Sequence, residues 1–312
     1  MIYICIFLLI LIIACLVISS MCEHAFFHPV PYSKEHEFEF LPTFGYDIRP
    51  FHDSVEKQEF SLDVPNGYTI KGFIIPSDKT FSDGKQRAVI LSHGVTANRY
   101  TMLAHGEIWH RLGFSVIAYD QRAHGESGGP DCSFGYYESQ DLIYIANDMR
   151  KRFPEDTVWG IGGESMGAAT VMLAAPKLPW LSFVYEDGGY DSLRSEVPAA
   201  LKYKKNIPYF PFTPLTIMFV NMRHEYGIDD VKPIDSVKEI ECPMLFVHGG
   251  EDNFVPTPNV YRLYNAKTKG PREIRVFEKA PHVKAVFMHH EEYYKMLRNF
   301  CIKYGIISGG LI

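Results

Sequence analysis

Gly163-Glu164-Ser165-Met166-Gly167 lies between Thr157-Val-Trp-Gly-Ile161 and Met166-Gly-Ala-Ala-Thr-Val-Met-Leu-Ala-Ala175. The first flank is a short apolar run with the character of a buried strand, and the second reads as a packed helix. A G-x-S-x-G string in that strand–turn–helix setting puts the serine at a sharp reversal of the chain, where small neighbours keep side chains from colliding. The helix beginning there would aim backbone N–H groups and its positive dipole end at negative charge forming beside the serine. Such pentapeptides are common by chance, so this one takes its weight from its surroundings.

Outward from it, short apolar runs alternate with helical patterns. Tyr68 to Ile75, Ala88 to Ser92, Phe114 to Tyr119, Leu181 to Tyr185, Pro243 to Val247 and Glu273 to Phe277 read as strands. Asn98 to Leu112, Glu138 to Phe153, Thr257 to Ala266 and His290 to Tyr304 read as helices. This rhythm predicts an α/β fold with a mostly parallel central sheet covered by helices on both faces. A Pro-, Tyr- and Phe-rich interval at about 190–235 breaks the rhythm, and is expected to form a small lid over the carboxyl ends of the strands.

The chain has 312 residues, a net charge of −6 and no basic stripe, which argues against a nucleic-acid partner. Its start differs in kind. Ile2 to Ser19 is an uncharged apolar run of about eighteen residues, close to the minimum for a bilayer-spanning helix. Residues 1–22 are therefore expected to be a membrane anchor, with a cleaved signal segment as the competing reading, although no basic residue precedes the run. Residues 23–60 read as an irregular polar-aromatic stalk, and 61–312 as the catalytic domain. The catalytic domain is expected outside the cytoplasm, or secreted if the segment is cleaved; Lys34 is the only basic residue nearby to set orientation. The six cysteines show no C-x-x-C spacing and are read as free thiols.

A serine hydroxyl needs a base, and the base needs an orienting acid. In this strand arrangement the partners should follow in the order serine, acid, histidine, each just past a strand. Asp252 follows the strand that begins at Pro243, and the turn Asn253-Phe-Val-Pro256 favours it over the neighbouring Glu251. Of thirteen histidines, His282 stands past the last strand. The expected oxyanion donors are the backbone amides of Met166 and Val95, the latter in the loop His93-Gly94-Val95-Thr96. His93 is read as a brace for that loop. Asp187-Gly-Gly-Tyr190 either shapes the acyl site or merely turns the chain. Gly160-x-Gly162 lacks the third glycine of a dinucleotide fingerprint, and His289-His290-Glu291-Glu292 is read as a solvated helix face rather than a metal site.

Asp120-Gln-Arg-Ala-His-Gly-Glu-Ser127 resembles the D-x-R-G-H-G-x-S loop of the α/β-hydrolase superfamily, with Ala123 where a glycine is usual. With His93-Gly94, the Ser165 turn, Asp252 and His282, the resemblance spans roughly residues 60–305. Through Ser133-Phe-Gly-Tyr-Tyr-Glu138 and the lid position the chain also resembles the esterase and serine-aminopeptidase-like branch, which has membrane-anchored bacterial members. The resemblance implies a Ser165–His282–Asp252 triad that cleaves a small-molecule acyl ester or amide through an acyl-enzyme, with no metal or organic cofactor. Aminopeptidase or acyltransferase chemistry would use the same residues. A carboxylic ester is preferred because no acidic cluster is evident to hold a free amino terminus. A non-catalytic anchored binding protein is the remote alternative, and it would be expected to have lost a triad member.

Overall fold

The computed structural model describes residues 1–79 and 81–307; Thr80 and residues 308–312 of the expected 61–312 domain lie outside the described residues. Strands β1 (Gln58–Asp63), β2 (Thr69–Ile75), β3 (Arg87–Ser92), β4 (Ser115–Tyr119), β5 (Val158–Glu164), β6 (Phe183–Asp187), β7 (Met244–Gly249) and β8 (Arg272–Phe277) form one sheet. Their order is β1-β2-β4-β3-β5-β6-β7-β8. β2 runs antiparallel to β1 and β4, and every other pairing is parallel.

The parallel strands are apolar on both faces because both are covered. Val89 and Leu91 of β3 enter one core while Ala88 and Ile90 enter the other, and Leu245 and Val247 of β7 alternate with Met244 and Phe246 in the same way. Three helices precede the sheet: α1 (Ile2–Phe27), α2 (Lys34–Phe40) and α3 (Arg49–Ser54). α4 (Leu103–Arg111) covers the first face, and α5 (Tyr136–Arg152) with α6 (Met166–Ala174) covers the second. The interval at 190–235 is filled by α7 (Leu193–Lys205), α8 (Phe212–Arg223) and α9 (Pro233–Ser236), and adds no strand. α10 (Pro258–Ala266) joins the second face; α11 (Ala285–Met288) and α12 (His290–Lys303) complete the first.

Two expectations are corrected. The helix expected from Asn98 starts only at Leu103, because residues 98–103 close as turns, with Thr101 N donating to Asn98 O (3.0 Å) and Leu103 N to Tyr100 O (3.1 Å) instead of four residues back. The expected irregular stalk is instead helical and packed. Glu37 and Leu41, four residues apart, share a buried face, and Ile48 enters the core behind them. The alternation of Glu and Phe in this stretch hid its helical period. α1 is long and apolar enough to cross a membrane, and it runs past residue 22 to Phe27, whose ring is buried against the 190–235 helices.

Close packing fixes where α6 begins. The backbone of Gly167 lies so near β3 that a Cβ there would stand 2.0 Å from the Ser92 carbonyl oxygen and 2.7 Å from that of His93. Gly167→Ala is therefore expected to cost about 3 kcal/mol or more. A fall in thermal midpoint of the detergent-solubilised protein would show it, and an unchanged midpoint would refute the contact.

Candidate active site

Parallel strands end on one edge of the sheet, and the loops that follow them meet there. Ser165 follows β5, Asp252 lies just beyond β7, and His282 comes after β8. Ser165 Oγ is 2.9 Å from His282 Nε2, and His282 Nδ1 is 2.6 Å from Asp252 Oδ2. The ring therefore donates from Nδ1 to the carboxylate and leaves Nε2 to accept the serine proton. Glu251, the rival acid, is exposed.

Ser165 has φ +53°, a left-handed conformation that a non-glycine residue holds only when its surroundings enforce it. The Ser165 amide donates to Asp187 O at 2.8 Å, and the tight α6–β3 contact closes the turn from behind. Asp187 also accepts from Tyr293 Oη (3.0 Å), while buried Tyr190 donates to Phe134 O (2.6 Å). Asp187-Gly-Gly-Tyr190 thus buttresses the elbow, and neither Asp187 nor Tyr190 lines a cavity beside Ser165.

Asp252 is buried with its hydrogen-bonding capacity filled. Oδ1 accepts the Phe254 and Val255 amides, each at 2.9 Å. Burial pushes its pKa up, but the charge of His282 and hydrogen bonds from His248 and His282 outweigh that and hold it at about 2. His248, part of a quoted motif but given no role from sequence, lies 3.2 Å from Asp252 Oδ2 and 2.9 Å from Val255 O. Its place at the end of β7, four residues before the acid, was the signal that could have found it.

The loop after β3 passes over the serine, with Gly94 so close that a Cβ there would touch Ser165 Cβ at 3.2 Å. Among the described residues no acceptor takes the Val95 or Met166 amide, and both residues adjoin this turn. His93 braces the loop: its Nδ1 donates to Gly94 O (2.7 Å) and its Nε2 accepts the Gln121 amide (2.9 Å). Burial lowers the His93 pKa to about 3, which keeps the ring neutral for both bonds. His124 works alike, donating to Arg122 O (2.8 Å) and accepting the Thr96 amide (3.1 Å). Asp120 accepts from the Arg99 guanidinium (2.6 Å) and the Glu126 amide (2.9 Å), so the 120–127 loop is the scaffold of the 93–96 loop. Ala123 takes φ +56°, the conformation that a glycine would hold more readily.

A cavity of about 280 Å³ opens over Ser165 and His282. Part of its wall comes from the N-terminal segment, through Tyr32, Glu37 and Leu41. Tyr32 N donates to Thr96 O at 2.7 Å, and Asn98 Nδ2 donates to Tyr32 O at 3.0 Å. Glu37 was missed from sequence because it sits in the supposed stalk. Burial raises its pKa to about 7, with Glu164 adding to the rise while Thr101 and Lys284 oppose it. Outside this site, His290 is not on a solvated face; it bonds to Glu107 (2.7 Å) and stacks on Tyr46. Among the described residues no group of three or more His, Cys, Asp or Glu is placed to hold a metal ion.

The family described as serine aminopeptidase, S33, matches residues 83–181, which carry the 93–96 loop, the 120–127 loop and the Ser165 elbow. The protein YqkD of Bacillus subtilis, itself uncharacterized, is 30% identical over 258 residues, covering 82% of this chain and 83% of that one. The chain belongs to the α/β-hydrolase superfamily. This α/β hydrolase falls in the esterase and serine-aminopeptidase-like branch. Monoglyceride lipase of Rattus norvegicus is 24% identical over 238 residues, covering 64% of this hydrolase and 77% of its own length. Among solved structures, the esterase Pf2001 of Pyrococcus furiosus shares the fold with a TM-score of 0.67 at 24% identity, over 81% of this chain and 93% of its own.

Glu37 makes stability depend on pH. A carboxyl whose folded pKa is near 7, against an ordinary 4.5, binds its proton more tightly in the folded state. That contribution is complete below pH 4.5 and is lost as pH rises to 7, on the order of 2–3 kcal/mol in all. Glu37→Gln should therefore gain thermal stability over the parent at pH 8 but not at pH 4.5. Equal differences at the two pH values would refute the burial assigned to this carboxyl.

Proposed function

We propose that this α/β hydrolase is a serine hydrolase that cleaves carboxylic esters through an acyl-enzyme. The observation that carries this reading is the unbroken chain from Ser165 Oγ through His282 to Asp252 at a strained elbow. Ser165 Oγ bonds to the acyl carbon as its proton passes to His282 Nε2, and the carbonyl electron pair moves onto the oxygen. The Val95 and Met166 amides hold that oxyanion. When the carbonyl re-forms, the bond to the alcohol oxygen breaks and the alcohol leaves with the proton from His282. Water then repeats the sequence on the acyl-enzyme, releasing the acid and restoring Ser165. Asp252 stays ionised and holds the imidazole in the required tautomer.

α1 anchors the enzyme in a membrane, with the catalytic body outside the cytoplasm. No Lys or Arg lies between the apolar run and Lys34 to retain the following segment inside. Protease treatment of intact cells degrades the body in this orientation and spares it in the opposite one.

A second reading, hydrolysis of aminoacyl amides, gains from one observation. Glu37 lines the Ser165 cavity, and its Oε1 is buried with no hydrogen-bond partner among the described residues. An ionised Glu37 could take a substrate ammonium.

A fluorophosphonate probe should label the protein, and Ser165→Ala should abolish labelling; a labelled mutant would remove Ser165 as nucleophile. If the ester reading holds, short p-nitrophenyl esters turn over faster than aminoacyl p-nitroanilides. If instead the anilides are preferred and Glu37→Gln raises KM for them alone, the aminopeptidase reading replaces it.

A further inference from the structure

The cavity over Ser165 does not end at the nucleophile. A second cavity of about 310 Å³ adjoins it, and Val95 and Phe254 line both. Every residue lining the second cavity is apolar. One wall is the last turns of α1, with Ile18, Cys22, Ala25 and Phe26; the facing wall is Leu201 of α7 and Ile207 just beyond it. Phe134 contributes from the body of the fold.

The α1 wall is fastened where it stands. Glu23, buried in α1, pairs with Arg223 and accepts from His224 Nε2 (2.8 Å) at the end of α8. Arg223 also donates to Ser20 Oγ at 2.7 Å, and Thr216 Oγ1 reaches Ser19 O at 3.5 Å. Phe27 is sealed in the core beneath α7 and α8. A transmembrane segment used only as a tether would need none of these contacts.

The position of this wall along α1 matters. At 1.5 Å per residue, the run from Ile2 to Ser19 rises roughly 27 Å, about the thickness of the hydrocarbon layer. The cavity begins at Ile18, where the helix leaves that layer. Tyr209, Phe210 and Met222, in and just before α8, are large apolar side chains left exposed, and α8 is the helix that Ser19, Ser20 and Glu23 of α1 fasten. Those side chains suit contact with lipid, and they put the cavity mouth at the bilayer surface.

We infer that the end of the anchor helix forms one wall of the acyl site, and that the occupant is the long acyl chain of an ester drawn from the bilayer. The chain lies between α1 and α7 and passes Val95 and Phe254, which brings its carbonyl to Ser165. This rests on Ser165 being the nucleophile, and it adds that Cys22, Ala25 and Phe26 set acyl-length preference. An ester with a short acyl group fills only the cavity over Ser165 and gains nothing from the α1 wall.

Two measurements on the full-length chain in phosphatidylcholine vesicles test the inference. The first compares turnover of monopalmitoylglycerol with that of p-nitrophenyl butyrate. Cys22→Trp and Ala25→Trp, which fill the cavity from the α1 side, should lower the palmitoyl-to-butyryl ratio by about tenfold, the worth of roughly two buried methylenes. An unchanged ratio overturns the inference. The second uses Ser165→Ala with a palmitoylglycerol carrying a mid-chain diazirine, so that binding is read without hydrolysis. Crosslinks are expected on the peptides bearing Leu201 or Ile207 and Phe254 as well as on α1. Crosslinks confined to α1 mean mere lipid contact and overturn the acyl site. Should the parent protein hydrolyse neither ester while the crosslinks appear as expected, the hydrolase reading falls and the acyl-binding cavity stands.

Discussion

The left-handed backbone at Ser165 is the constraint on which the rest of the site depends. A serine at φ +53° is strained by about 1–3 kcal/mol and persists only where several contacts hold it. Here the Ser165 amide is tied to Asp187 on β6, while α6 rests directly on the end of β3 through Gly167. These contacts join three adjacent strands at their carboxyl ends. They leave the hydroxyl facing the cavity and, beside it, the first amide of α6 with no acceptor among the described residues.

Around that turn, neutral and ionised groups are kept apart by burial and by specific partners. His93 and His124 are buried with no carboxylate partner among the described residues, and both are shifted towards the neutral form, in which each can donate from Nδ1 and accept at Nε2. Asp252 is equally buried but receives two amides and lies against His248 and His282, so it stays ionised. Desolvation therefore gives neutral braces on one side of the serine, while on the other the charge of His282 and the hydrogen bonds to Asp252 outweigh it and keep a fixed negative charge.

The N-terminal segment is part of this architecture rather than an appendage. Tyr32 pairs with the 93–96 loop, Glu37 and Leu41 face the Ser165 cavity, and Glu23 and Phe27 lock α1 onto α8 and the core beside it. Fastened in this way, the last turns of α1 and the 190–235 helices hold one another in place.

The α/β fold was legible in the sequence because strands buried on both faces are short apolar runs, and helices between them carry a different period. Ser165, Asp252 and His282 could be picked out for a related reason: each follows a strand, and parallel strands end on one edge. Local residue order carries that information. It does not carry which distant segments cover the site. Glu37 looked like one charge in a polar stalk, and its burial comes from packing against Leu41, Thr101 and the strand ends. His248 gained its contact with Asp252 only when the turn after β7 folded back. The cavity between α1 and α7 joins residues about 180 positions apart, and no periodicity encodes such a meeting. Sequence by itself determined the strands, the order of Ser165, Asp252 and His282 beyond their ends, and the long apolar first helix. Tertiary structure alone decided what surrounds them, because burial and electrostatic partners are set by contacts between elements far apart in the chain.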